Sequence, residues 1–153
     1  MHIPKPFADA LYASGQPAPD DLAQLVAAGV QTVINLRAAS EPAEYDEARE
    51  VERLGLRYVT IPVAGALDLT SDTVARFSQE LEQARTHGGV LLHCASGNRV
   101  GAMIALDAGL TRREPAEQAL SLGRAAGLTS LEAVVASLLA DAKRTAAARA
   151  SSN

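Results

Sequence analysis

The residues with chemistry to offer lie in one short stretch, His93-Cys94-Ala95-Ser96-Gly97-Asn98-Arg99. Cys94 is the single cysteine of the chain, so it cannot form an intramolecular bridge and is either packing or a reagent. It follows Val90-Leu91-Leu92, a continuous apolar run too short for an amphipathic helix and suited to a parallel strand buried on both faces. A helical pattern comes next. A loop between such a strand and a helix is where open parallel sheets place their ligand sites. Loop N–H groups, the unpaired N–H groups of the first helical turn and the positive end of the helix dipole can all face one bound anion. In that field a thiol that ordinarily titrates near ~8.5 can fall to roughly 3.5–7.5, and the thiolate is the nucleophile. Arg99 brings a planar fork of donors able to hold two oxygens of a tetrahedral oxyanion, which a lysine would do less well. Gly97 permits a positive φ. The expected anion-binding set is therefore Ala95, Ser96, Gly97, Asn98 and Arg99, with Cys94 as nucleophile. That role requires its sulfur to be ionised and reachable from solvent.

The elements that must position this loop alternate between short β-branched runs and longer segments of Ala, Leu and charge, the pattern of an α/β layer structure. A first strand is expected near residues 10–13, followed by the turn Ser14-Gly15-Gln16-Pro17. Pro19 suits the first turn of a helix carrying Leu22, Leu25 and Val26, which Gly29 closes. Residues 32–36 read as a strand. Pro42 opens a helix with Tyr45, Ala48, Val51 and Leu54 on one face, and residues 56–61 return as strand up to Pro62. The charges Glu41, Glu44, Asp46, Glu47, Arg49, Glu50, Glu52 and Arg53 are most simply a solvated face with near-neighbour pairing. Thr70 or Ser71 caps a helix bearing Val74, Phe77 and Leu81. Beyond the cysteine loop come helices over residues 99–110 and from Pro115. A last helix, opened by the capping box Thr129-Ser130-Leu131-Glu132, carries Val134, Val135, Leu138 and Leu139. The tail 143–153 has no apolar stripe and is expected to fray.

The 153 residues suit one domain spanning 1–153, with a core over about 8–140, and 48% hydrophobic residues can bury that core without metals or disulfides. With 14 Lys+Arg against 18 Asp+Glu, the balance argues against a broad nucleic-acid surface, leaves room for one local basic pocket, and makes a small anion the expected partner. Aromatic residues are 3% and tryptophan is absent, which argues against base-stacking platforms. His2, His87 and His93 lie far apart with no paired Cys or His spacing, so no metal is expected. No stretch approaches the roughly 20 apolar residues of a membrane span. Residues 1–6 lack the layout of a secretory leader, so a cytoplasmic location is expected.

His93-Cys94, a glycine-containing loop and Arg99 resemble the signature of cysteine-dependent protein tyrosine and dual-specificity phosphatases, whose loop runs His-Cys-x5-Arg. Gly29-Val30-Gln31-Thr32-Val33-Ile34-Asn35-Leu36-Arg37 and Gly55-Leu56-Arg57-Tyr58-Val59-Thr60-Ile61-Pro62-Val63 are similar to the strands leading into a dual-specificity phosphatase core. With Ser14-Gly15-Gln16-Pro17 added, the chain resembles the bacterial beta-lactamase-hydrolase-like, phosphatase-like family over roughly residues 10–125. The resemblance implies a parallel α/β sheet flanked by helices. It implies cofactor-free hydrolysis of phosphate monoesters through a phosphocysteine, with a phosphate-containing small molecule or phosphoprotein as partner.

Two departures stand out. Only four residues separate Cys94 from Arg99, so the ring of donors is smaller, and Val100 replaces the Ser or Thr whose hydroxyl helps the thiolate leave. A six-residue Cys-x-x-Gly-x-Arg loop also looks like that of rhodanese-type sulfurtransferases, although the Gly-His-Ile segment usual there is missing after Arg37. A third reading is a catalytically weak module that only binds phosphate.

The resemblance also implies an aspartic acid shortly after the third strand, which protonates the leaving oxygen and then activates water. Val63, Ala64 and Gly65 occupy those positions, leaving Asp68 as the nearest candidate. Asp72 reads as a favourable charge in the first turn of its helix. His93 can orient the loop, or it can be a satisfied core histidine. Arg37, at a strand's carboxyl end, can reach the same rim or pair with Glu41 or Glu44. Ser96 and Asn98 are expected to bond local backbone.

Overall fold

The computed structural model describes residues 5–151, so His2 and most of residues 1–6 lie outside the described residues. Four strands form one parallel sheet: β1 (Leu11–Ser14), β2 (Val30–Asn35), β3 (Arg57–Thr60) and β4 (Gly89–His93), in the spatial order β1-β4-β2-β3. The central strand β4 is buried along its whole length. Ser14 and Asn35 both stand level with His93, so three strands end together at one rim.

Helices α1 (Pro19–Ala27) and α2 (Glu47–Arg53) cover one face, and α3 (Ser71–Arg85), α4 (Asn98–Leu106), α5 (Ala116–Ala125) and α6 (Glu132–Ser151) cover the other. Alternate side chains of β4 feed the two cores, as the two-residue period of a strand requires. Leu91 packs with Leu22, Leu25 and Val51, while Val90 and Leu92 pack with Phe77, Met103 and Leu106. Thr70 is the cap of α3, its hydroxyl accepting from the Thr73 N–H at 3.2 Å. The α/β arrangement read from the sequence is thus present, with every strand parallel.

Five local expectations are corrected. The first strand starts one residue later, because Ala10 is left-handed at φ 56°. No helix opens at Pro42; its carbonyl accepts from Arg37, and α2 begins after Asp46, whose carboxylate takes the Arg49 N–H. Helix α4 starts at Asn98 and passes at Leu106 into a wider π-turn, Asp107–Thr111, in which buried Asp107 accepts from the Ser78 hydroxyl at 2.6 Å. The capping box does not close, since the Glu132 carboxylate pairs with Arg124 and the Thr129 N–H is taken by Asn98. The tail is helical to Ser151 rather than frayed, because Ala, Lys and Arg are strong helix formers even without an apolar face.

Candidate active site

The cysteine loop leaves β4 at its carboxyl end and turns into α4 through Gly97, at φ 92°, a left-handed conformation that a Cβ would strain. That turn aims the Gly97 N–H at the Cys94 sulfur, 3.0 Å away. The loop is clasped on both sides. From β1, Ser14 accepts the Cys94 N–H, and Gly15 lies so close that an added Cβ would meet the Ala95 carbonyl oxygen at 2.5 Å. From beyond α5, residues 129–131 bind Asn98, whose Oδ1 accepts from the N–H groups of Thr129 and Leu131 while its Nδ2 donates to the Ser130 hydroxyl. Asn98 therefore ties the loop to a distant connection instead of bonding local backbone. Ala95 and Ser96 are exposed.

Arg99 reaches across to Glu41. Nη1 donates to Oε2 at 2.7 Å and Nη2 to Oε1 at 2.8 Å, and Nη1 also meets the Val63 carbonyl at 2.7 Å. The hydrogen bond from Arg99, working against burial and helped by the Ala38 N–H, holds the Glu41 carboxyl down at about 2. In return Arg99 is held more firmly protonated, chiefly by Glu41, with the Cys94 sulfur adding to the effect. A cavity of about 330 Å³ opens over this pair, lined by Ser40, Glu41, Ala64, Gly65, Arg99 and Leu131 among others. Cys94 does not line it: the sulfur is fully buried, contrary to the expectation that it faces solvent. Arg99 lines the cavity and feels the charge of the Cys94 sulfur.

His93 is also fully buried, and its Nε2 meets the Glu47 carboxylate at 2.6 Å while Nδ1 has no partner among the described residues. Burial works to raise the Glu47 carboxyl, but the hydrogen bond and charge of His93, with Gln16 and Tyr58, outweigh it and leave the group below its ordinary range. Arg37 donates to Gln16, to the Pro42 carbonyl and, at 3.4 Å, to Glu41. Its pairing with Glu41 is the salt-bridge reading. A second cavity of about 240 Å³ adjoins, lined by Arg37, Glu41, Tyr45, Glu47 and Tyr58 among others. Burial and the Glu47 charge push both tyrosine hydroxyls up to about 12, so they stay neutral.

Asp68 ends a short 3-10 turn, Ala66–Asp68, and its Oδ2 accepts the Ala64 N–H at 2.7 Å. Asp68 does not line the Arg99 cavity, although Ala64 and Gly65 of the same loop do. Next to it, Leu67 is 95% exposed. Asp72 sits in the first turn of α3.

Three residues of this site were not singled out from the sequence. Glu41 and Glu47 were assigned to a solvated face, yet Glu47 is buried against His93 and Glu41 is the partner of Arg99. Glu47 carried a usable signal, because it precedes Val51 by one helical turn and so shares its apolar stripe. For Glu41 the spacing pointed only to its pairing with nearby Arg37, not to the one with Arg99, and Gln16 carried no signal for its partners Glu47 and Arg37, which lie far along the chain.

The chain matches the family model described as a DSP-PTPase phosphatase fused to NAD+ kinase over residues 3–141. Proteins of two strains of Xylella fastidiosa, each described as a beta-lactamase hydrolase-like protein, are 33% identical over 118 residues, 74% of this chain and 27% of theirs. The chain thus spans about a quarter of the length of those relatives. A candidate phosphatase of Neisseria meningitidis superposes with a TM-score of 0.75 at 27% identity, over 93% of this chain and 99% of that one. TpbA of P. aeruginosa, solved in complex with phosphotyrosine, has a TM-score of 0.67 over 85% of this chain and 78% of its own. At 20% identity that likeness concerns the fold.

Proposed function

Because the chain belongs to the family of dual-specificity-type phosphatase domains described as fused to NAD+ kinase, we propose that it hydrolyses phosphate monoesters with Cys94 as nucleophile. The observation that carries this reading is the cysteine's seat at the end of the central strand, before the amino terminus of α4, with the Gly97 amide directed at its sulfur and the Arg99 charge within electrostatic reach of it.

In the first step the Cys94 thiolate attacks phosphorus in line, an S–P bond forms, and the P–O bond to the alcohol breaks. Asp68 gives the departing oxygen its proton, using Oδ1 while Oδ2 keeps its bond to Ala64. A water molecule then attacks phosphorus, Asp68 takes its proton, and the S–P bond breaks to release phosphate. Arg99 has five N–H groups. Glu41 and Val63 occupy Nη1 and one hydrogen of Nη2, so Nε–H and the other Nη2 hydrogen form the fork for two equatorial oxygens. The N–H groups of residues 95–99 complete the cradle. Since the sulfur is buried, the loop around Cys94 opens to admit the phosphate while Arg99 keeps its contacts to Glu41 and Val63.

The cavity has no aromatic wall, so the proposed substrates are small phosphoesters rather than phosphotyrosine held by ring stacking. Val100 offers no hydroxyl to the leaving thiolate, which makes breakdown of the phosphocysteine the slow step. The test is hydrolysis of an aryl phosphate, sensitive to vanadate, with a burst of phenol release of about one equivalent per chain. Cys94→Ser and Arg99→Ala are expected to abolish it; full activity in the serine variant removes the nucleophile.

A second reading is sulfur transfer. It is favoured by the six-residue loop, whose Gly97 amide points at the sulfur itself, as a ring sized for one sulfane sulfur would require. Attack of the thiolate on thiosulfate would form a Cys94 persulfide and release sulfite. A mass gain of one sulfur at Cys94, without phosphatase turnover, decides for this reading. Oxyanion binding with neither reaction would leave a phosphate-recognition module.

A further inference from the structure

The two ends of the cysteine loop are joined behind it by one continuous chain of polar contacts. It runs from His93 to Glu47 at 2.6 Å, from Glu47 Oε1 to Gln16 Nε2 at 2.6 Å, from Gln16 Oε1 to Arg37, from Arg37 to Glu41 at 3.4 Å, and from Glu41 to Arg99. His93 precedes the nucleophile and Arg99 closes the loop. Every other member carries or can carry a charge; Gln16 alone is a neutral amide.

Its place explains its type. On one side stands a buried carboxylate that needs a donor, and on the other a guanidinium that needs an acceptor. An amide presents both. A glutamate in its place would set a second carboxylate against Glu47, a lysine a second cation against Arg37, and an asparagine would be one methylene short. Gln16 has no slack to move, because the adjoining Gly15 is pressed onto the Ala95 carbonyl and the Tyr45 hydroxyl lies 3.4 Å from its Nε2.

We propose that Gln16 is a positioning residue which couples the His93–Glu47 pair to the Arg37–Glu41–Arg99 cluster and so fixes the direction of the Arg99 fork. It touches neither the reacting sulfur nor the oxyanion. Through Arg37 it holds Glu41, and Glu41 presents Arg99. This rests on the reading of Arg99 as the oxyanion ligand, but its structural half does not depend on turnover.

The experiment compares Gln16→Met, Gln16→Glu and the unaltered chain, each checked for a cooperative thermal transition. Two signals are read: the NMR order and exchange protection of the Arg99 Nε–H, and the affinity for inorganic phosphate by calorimetry. Methionine keeps the length and volume of glutamine and loses both contacts, so it is expected to disorder Arg99 and weaken phosphate binding by about tenfold. Glutamate keeps the contact to Arg37 and loses that to Glu47, so the His93 ring signal shifts while Arg99 is disturbed less than in Gln16→Met. If Gln16 only fills space, the methionine variant will match the parent in both signals, and that result overturns the proposal. Should the parent chain bind no phosphate and hydrolyse nothing, the phosphatase reading fails, while the Arg99 signal still decides the role of Gln16.

Discussion

Glu41 receives both Nη groups of Arg99 from 58 residues away, and the carboxylate so placed shares its other contacts with Arg37 and the Ala38 N–H. The pair does two things at once. It orients the guanidinium, and it holds that guanidinium at the cavity, within electrostatic reach of a sulfur with no exposed surface.

Glu41→Gln removes the charge and one acceptor. Arg99 then loses its bidentate seat, so phosphate affinity is expected to fall about tenfold. Alkylation of Cys94 by iodoacetamide should at the same time become faster, because the cover over the sulfur loosens. Calorimetry and a timed mass measurement check the two effects. An unchanged alkylation rate means that Arg99 is not the cover.

Acid should dissolve the same contact. The Glu41 carboxyl titrates at about 2 in the folded chain against an ordinary 4.5, so the folded state binds fewer protons than the unfolded one between those values. Its stabilisation is complete above about pH 4.5 and drains away as pH falls toward 2, a contribution of about 2 kcal/mol at this partly hydrated rim. Glu47, lowered as well, adds in the same direction. Melting temperature followed from pH 7 to pH 2.5 should fall more steeply in the parent chain than in Glu41→Gln. Parallel curves would count against the assignment.

Asp68→Asn tests the proposed acid. A poor alkoxide leaving group needs the proton and a nitrophenolate does not, so the loss should approach about 10²-fold for the first and be small for the second. Equal losses would make Asp68 a loop-forming residue through its bond to Ala64.

Asn98→Ala deletes the three contacts to residues 129–131. A cost of about 1–3 kcal/mol is expected from the backbone donors left unsatisfied. Amide exchange at Thr129 and Leu131 should quicken more than elsewhere. Uniform exchange across the chain would deny Asn98 that role.

The chemistry-bearing loop was legible before any coordinates because its determinants are local. An apolar run preceded by Gly88-Gly89 makes a buried strand, Gly97 supplies a left-handed turn, and the strand-to-helix junction converges N–H groups wherever it occurs. Near neighbours along the chain also decided Pro19 at the start of α1 and Thr70 at the cap of α3.

The partners of that loop were decided only in three dimensions. Glu41 and Glu47 sit in a stretch dense with charge, where local spacing says solvated; the fold buried Glu47 against His93 and brought half-buried Glu41 to Arg99, so both became paired groups. Asn98 chose a connection 31 residues on over its own backbone, and Gln16 found a carboxylate and a guanidinium that no window of sequence holds together. The exposure of Cys94 was likewise settled by packing. The sulfur lies in a core drawn from several elements, with the Gly97 amide against it, and that meeting is a property of the folded chain, whereas residue type and spacing describe one segment at a time.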